Sequence, residues 1–330
     1  MTSGFQRRDV LRVAAASAVV LSGAATAAES NWPTRPVTMI VPFPAGGGTD
    51  AFARPLSAQF TKLTGQTLVI ENRGGAGGTV GASIAAKAAP DGNTLFMGAV
   101  HHAIAPSIYP KLDYDLERDF VPLLLLLADV PQVVVVNPKR VTETTLKAFV
   151  ANARQNPGKL NYASAGAGTS HHLAGELFKL QTGTFITHIP YRGAGPALQD
   201  LIAGNVDVMF DGLGSSAQHI KAGRIKALMV AGSKRNPAFP DVPCAAEVGL
   251  PDYTVTTWYG LWAPKGTPVD VQARIVDDMK KALASDELKT IWASNGSEIP
   301  NVTNAAYAAF VNAEIRRWAA VVKASGAKLE

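Results

Sequence analysis

The chain has 330 residues, 47% of them hydrophobic and 17% charged. That length exceeds one small core and suits two lobes, and the composition excludes large-scale disorder. A formal charge of +5, with no Lys/Arg run and no interleaved aromatics, gives no sign of nucleic-acid binding.

The first residues carry an export pattern. Gln6-Arg7-Arg8-Asp9-Val10-Leu11-Arg12 places twin arginines ahead of the apolar stretch Val13 to Leu21, and Ala25-Thr26-Ala27 offers small residues to a signal peptidase. Residues 1–27 therefore read as a cleaved twin-arginine-type signal peptide, with an ordinary secretory signal as the alternative, and the mature protein as periplasmic. Cys244 is the only cysteine, so no intrachain disulfide can form. Later apolar runs, Leu123 to Leu127 and Val133 to Val136, are too short to span a bilayer and read as buried strands, so no stable membrane insertion is expected.

Strands and helices then alternate. Val37 to Val41 reads as a strand, Pro42-Phe43-Pro44-Ala45-Gly46-Gly47-Gly48-Thr49-Asp50 as a glycine-rich turn, and Ala51 to Phe60 as a helix. Successive glycines bring the backbone close to a ligand, and the following helix N-terminus favours an anion, although Thr49 and Asp50 also suit a helix cap. Thr67 to Glu71, the turn Asn72-Arg73-Gly74-Gly75-Ala76-Gly77-Gly78, and the helix Val80 to Ala89 repeat the unit. A third strand, Thr94 to Gly98, leads to a loop at His101-His102. This is the signature of parallel βαβ units, whose ligand crevice lies at the carboxyl ends of the strands. Phe120 to Val136 reads as two extended runs broken at Asp129-Val130-Pro131, a first crossing between lobes. The unit recurs in Leu160 to Ala163, Ser164-Ala165-Gly166-Ala167-Gly168-Thr169-Ser170-His171-His172 and the helix Leu173 to Gln181. Thr187 to Pro190 with Tyr191-Arg192-Gly193, and Val206 to Asp211, are further strands. Tyr253 to Ala263 is the second crossing, and helices Val269 to Ala284, Glu287 to Ser294 and Asn304 to Ala324 close the chain on the first lobe.

The glycine turns lack the third glycine of a dinucleotide fingerprint and the Gly-Lys-Ser/Thr of a P-loop. Ser164 has Tyr162 where a nucleophile elbow needs glycine. Adjacent histidines diverge, so neither His101-His102 nor His171-His172 chelates a metal alone; one of each pair is expected to hydrogen-bond in the cleft. Arg192 could pair with a ligand carboxylate or a surface acid, and Asp211 could hold water or a ligand ammonium or stabilise its own turn. No cofactor and no metal is expected.

Together Val41 to Asp50, Glu71 to Gly78, the Gly166-x-Gly168-Thr169-x-x-His172-Leu173-Ala174-Gly175-Glu176 run, Tyr191-Arg192-Gly193 and Asp241-Val242-Pro243 with Glu247-x-Gly249 resemble the Bug family. These are the TctC-type extracytoplasmic receptors of tripartite tricarboxylate transporters. The resemblance implies an α/β, two-lobed periplasmic binding protein fold of type II-like form, each lobe a mixed sheet flanked by helices, with the cleft between. Lobe 1 is expected at 33–131 and 253–330, and lobe 2 at 132–252. The implied function is capture of a small organic carboxylate by a monomeric, soluble receptor and its delivery to the membrane components of the transporter. Ligand-binding positions carried over are Phe43, Ala45, Gly46, Gly47, Gly48, Thr49, Asp50, Asn72, Gly74 and Gly75 from lobe 1. Lobe 2 contributes Ser164, Ala165, Gly166, Gly168, Thr169, Ser170, His172, Tyr191, Arg192 and Gly193. His102 and Asp211 complete the set, and the His101-His102 loop with Trp258 is expected to set specificity. The rival reading is a secreted enzyme using Asp50, Asp211 or a histidine as acid–base.

Overall fold

The computed structural model describes residues 31–325, so the expected signal segment at 1–27 lies outside the described residues. The elements run β1 (Val37–Val41), α1 (Gly48–Thr64), β2 (Leu68–Asn72), α2 (Thr79–Ala86), β3 (Thr94–Ala99), α3 (His101–Ile108) and the long β4 (Phe120–Val136). There follow α4 (Leu146–Gln155), β5 (Asn161–Ser164), α5 (Ser170–Thr182), β6 (Thr187–Pro190), α6 (Ala194–Ala203), β7 (Val208–Gly212), α7 (Leu213–Lys221) and β8 (Lys226–Val230). The chain returns through β9 (Thr256–Pro264), α8 (Val269–Leu283), α9 (Asp286–Ser294), β10 (Val302–Thr303) and α10 (Asn304–Ser325).

The strand order is β2-β1-β3-β9-β4-β7-β5-β6, with β8 and β10 also pairing with β4. The βαβ units are parallel where the glycine turns predict it: β1 with β2 and β3, and β5 with β6 and β7. The two crossing strands run the other way. β9 lies antiparallel to β3 and β4, and β4 antiparallel to β7, so the sheet is mixed.

The expected break at Asp129 to Pro131 does not end β4. Asp129 takes a positive φ of 47° and the pairing with β9 shifts register between Leu127 and Val130, so the extra residue is absorbed as a bulge and the strand bends while continuing. Before the bend β4 pairs with β9 and β10; from Gln132 onward it pairs with β7 and β8. The strand period of two then feeds two separate cores, Val133 and Val135 packing with Leu198 and Met209, and Val134 and Val136 with Phe149 and Phe210. Both of those cores draw on residues 133–255. The other two, around Phe52 and Trp292 and around Phe96 and Trp262, draw on residues before 131 and after 257, with Leu173 the exception.

Helix starts follow local chemistry. α5 begins at Ser170, earlier than apolar periodicity suggests, because Thr169 caps it by accepting from the His172 N–H. His101 and His102, expected in a loop, form the first turn of α3.

Phe96 is the aromatic hub beneath β3, edge-on to His102 at 4.9 Å and 5.2 Å and 5.7 Å from the rings of Phe120 and Trp262. Phe96→Ala leaves a cavity there and is expected to cost about 3–5 kcal/mol, read as a lower denaturant midpoint at unchanged m-value; a loss under about 1 kcal/mol would mean that the site collapses around the smaller side chain.

Candidate functional site

The turn after β1 is held from within. Gly46 takes a φ of +83°, and its N–H donates to Asp50 Oδ2 at 3.0 Å. Arg54 Nε and Nη2 donate to the two Asp50 oxygens at 2.8 Å each, and Asn72 Nδ2 to Asp50 Oδ1 at 3.0 Å and to the Phe43 carbonyl at 2.9 Å. Burial disfavours the Asp50 charge, yet these donors outweigh it and hold its pKa below the ordinary value. Asp50 and Asn72 thus shape the loop, and Thr49 is buried in the first turn beside them. Gly74 and Gly193 both abut Pro44: a β-carbon on either would stand 2.7 Å from its Cδ.

The turn after β5 is built in the same way with other residues. Ser164 Oγ lies 2.7 Å from His188 Nε2 and accepts from the Gly166 N–H, while Thr169 Oγ1 donates to the Gly166 carbonyl at 2.7 Å. Gly168 N–H donates to His172 Nδ1 at 3.2 Å, and the His172 ring stacks on His188 at 4.3 Å. Ala165 is buried beneath the turn. Tyr191 Oη donates to Asp200 Oδ2 at 2.6 Å and so braces α6, whereas Arg192 is solvent-exposed.

These turns meet. A β-carbon on Gly47 would stand 3.6 Å from Ala194 Cβ and from the Gly195 nitrogen, and one on Gly195 would collide with the Ala45 carbonyl oxygen. Gly166 faces Gly77 in the same way, with its would-be β-carbon 3.8 Å from Gly77 Cα. At these turns the halves are joined by hydrogen bonds from Ser170 N–H to His101 Nδ1 at 3.1 Å and from Tyr109 Oη to the Ala167 carbonyl at 3.3 Å. The N-termini of α1, α3, α5 and α6 therefore converge. Of these only α1 carries an acid in its first turn, and that acid is the internally bonded Asp50. The converging dipoles favour an anion.

The paired histidines divide their work. His101 reaches across, while His102 turns back on its own half, with Nδ1 3.0 Å from the backbone of Ala99 and Nε2 3.4 Å from the Gly78 carbonyl. His171 approaches Asp211, with Nδ1 3.6 Å from Oδ1, and His172 stays with its turn. Burial lowers the pKa of all of His101, His102, His171 and His188, so each stays neutral. Among the described residues no group of three or more His, Cys, Asp or Glu could hold a metal ion.

Asp211 ends β7 fully buried, its Oδ2 accepting from Ser215 Oγ at 2.7 Å and Ser216 Oγ at 2.5 Å; burial raises its pKa. Trp258 is not at the site. Its Nε1 donates to Glu314 Oε2 at 2.8 Å and its ring packs on Trp262 and Phe310, under α10. Sequence reasoning placed His101 and His171 in pairs but did not single them out, and it did not single out Gln132, Ser215 or Tyr259. The latter three sit in strands or helices where no local pattern marks them.

Residues 52–327 match the family described as the tripartite tricarboxylate transporter family receptor, TctC. The chain belongs to this receptor family. Protein BugT of Bordetella pertussis is 38% identical over 309 residues, covering 93% of this chain and 94% of that protein. Among solved structures, a Rhodopseudomonas palustris protein with adipate is 35% identical with a TM-score of 0.84, covering 91% of this chain and all of that one. MatC of the same organism, with bound malate, is 37% identical with a TM-score of 0.81, covering 88% of this chain and all of that one. The family fold is the mixed α/β periplasmic binding-protein fold seen here, and its members are periplasmic solute-binding receptors and not enzymes. Among the described residues no helix is long and apolar enough to cross a membrane.

Two tests address the loops. Asp50→Ala removes the acceptor for three donor groups and is expected to cost about 1–3 kcal/mol, visible as a lower Tm; an unchanged Tm would mean that the loop does not depend on the carboxylate. His102 and His188 are held near pKa 4, below the ordinary 6.5, so the stability linked to their neutral form is full above pH 6.5 and lost as the pH falls through about 4. Denaturant midpoints should fall over that interval, and a flat profile would contradict the neutral assignment.

Proposed function

We propose that this receptor captures a small organic carboxylate by closing two lobes on it, residues 33–131 with 253–330 as one and residues 132–252 as the other. The convergence of four helix N-termini with no unpaired acid in their first turns carries this reading. Relatives solved with adipate and with malate support it. The backbone N–H groups of Ala45, Gly47, Gly48, Gly74, Gly75 and Gly193 hold the carboxylate, while those of Gly46, Gly166, Gly168 and Ser170 are engaged within and between the turns. Asp50, Asn72, Ser164, Thr169, His172 and Tyr191 act through them by fixing the loops, and Phe43 and His102 wall the space. Arg192 stands at the rim, where it attracts the anion at longer range.

Closure is a population shift: the ligand binds the closed form better and is released when the transporter's membrane components favour the open one. The protein is exported by way of residues 1–27, loses them, and acts as a soluble monomer in the periplasm.

A thermal-shift titration with adipate and malate tests the reading. At a hundredfold excess over Kd a ligand adds about 2.7 kcal/mol to the folded state, so the Tm should rise with at least one of these acids or a near homologue. Gly195→Val, which puts a side chain against the Ala45 carbonyl, should abolish the shift. A valine variant that binds as well as wild type would detach binding from closure. Amino-terminal sequencing of the periplasmic protein should begin immediately after the Ala25-Thr26-Ala27 segment, and recovery of the intact chain in the cytosol would contradict export.

A further inference from the structure

Asp211 is a buried carboxylate without a cation. Both serine hydroxyls bond to its Oδ2, leaving Oδ1 with no hydrogen-bond partner. The nearest basic atom is His171 Nδ1 at 3.6 Å, itself buried and without a hydrogen-bond partner. Burial pushes the imidazole pKa down and the carboxyl pKa up, so neither charge is held by the other, and a cation brought to Oδ1 would favour the carboxylate. Buried polar atoms are normally satisfied, and a buried charge left unpaired is among the costliest features a fold can carry. Two adjacent atoms of this kind face each other.

Ring contacts link this pair to the glycine turns. The His171 ring is 5.7 Å from His101, and His101 is 5.2 Å from Phe43 of the opening loop, so a file of three rings runs from the loop to Asp211. From the other half, Tyr259 Oη comes within 3.8 Å of a β-carbon placed on Gly212, while Ser215 of the same half as Asp211 has its Oγ within 3.8 Å of a β-carbon placed on Gly48. Aromatic walls around an uncompensated carboxylate suit a compact cation, which gains from the ring faces as well as from the charge.

The geometry points to an ammonium subsite at the floor of the cleft: a ligand ammonium donates to Asp211 Oδ1 and His171 Nδ1 while the ligand carboxylate lies on the backbone N–H groups of the turns. The preferred ligand is then an amino-carboxylate zwitterion. This inference rests on the carboxylate-receptor reading above and narrows its substrate class. A hydroxyl in the same place would satisfy one acceptor but leave the charge unbalanced, and a plain methylene would do neither.

The test uses matched acids that differ at one carbon: succinate, malate and aspartate; glutarate, 2-hydroxyglutarate and glutamate; propionate, lactate and alanine; 3-phenylpropionate, 3-phenyllactate and phenylalanine. In whichever set the wild-type protein binds, the amino member should bind at least tenfold more tightly than the unsubstituted acid by calorimetry. The Asp211→Asn variant should reduce that ratio to within about threefold. Because the wild-type ratio is read first, the inference remains falsifiable even where Asp211→Asn does not fold. Binding of the unsubstituted or hydroxy acid as tight as or tighter than the amino acid, or an undiminished ratio in Asp211→Asn, would overturn the ammonium subsite while leaving the carboxylate reading intact. Failure of every acid in all four sets to bind would overturn both.

Discussion

The site depends on backbone meeting backbone. Gly47 lies in van der Waals contact with Ala194 and Gly195, and Gly195 lies so close to the Ala45 carbonyl that a β-carbon there has no room. Only at that distance do the N-termini of α1, α3, α5 and α6 address one volume, and only then can His101 accept from the Ser170 N–H. A larger residue at any of these contacts would hold the halves apart and separate the dipoles that make the volume attractive to an anion.

The electrostatics follow from the same economy of side chains. Few ionised groups line the contact. Asp50 is consumed by Arg54, Asn72 and Gly46, the histidines are neutral through burial, and Arg192 is out in solvent. Anion binding therefore draws on fixed dipoles in a region shielded from water, which are screened by salt less than surface lysines would be. Asp211 stands apart as a buried acid whose Oδ1 has no hydrogen-bond partner.

β4 changes partners within a short stretch of strand. β4 belongs to one half before the bulge at Asp129 and to the other from Gln132 onward, and β9 returns alongside it at Pro131 and Val130. A proline and a residue of positive φ at the point of transfer interrupt the regular ladder, and the buried valines beyond it pack into the two cores of the second half. Hydrogen bonds from Lys221 Nζ to the Ser294 carbonyl and from Asn236 Nδ2 to the Gly296 carbonyl tie the two halves beside this bend.

Local sequence determined the repeated strand, glycine turn and helix, because alternation, glycine and capping residues act over a few positions: β1, β2 and β3 and the helices after β1 and β2 stand where the pattern puts them, whereas α3 replaces an expected loop. It also marked the anion-friendly turns. Tertiary structure decided what each turn residue does. Asp50 reads as a ligand group in sequence and is instead the anchor of its own loop, since Arg54 and Asn72 reach it only once α1 and β2 are packed. Trp258 reads as a specificity residue and is buried under α10, because the direction of β9 is set by its antiparallel pairing and not by its composition. His101, His171 and Asp211 lie 110 residues apart at the extremes, and only the contact of the first turn of α3 with the first turn of α5 places an acid with an unpartnered oxygen at the end of a file of rings.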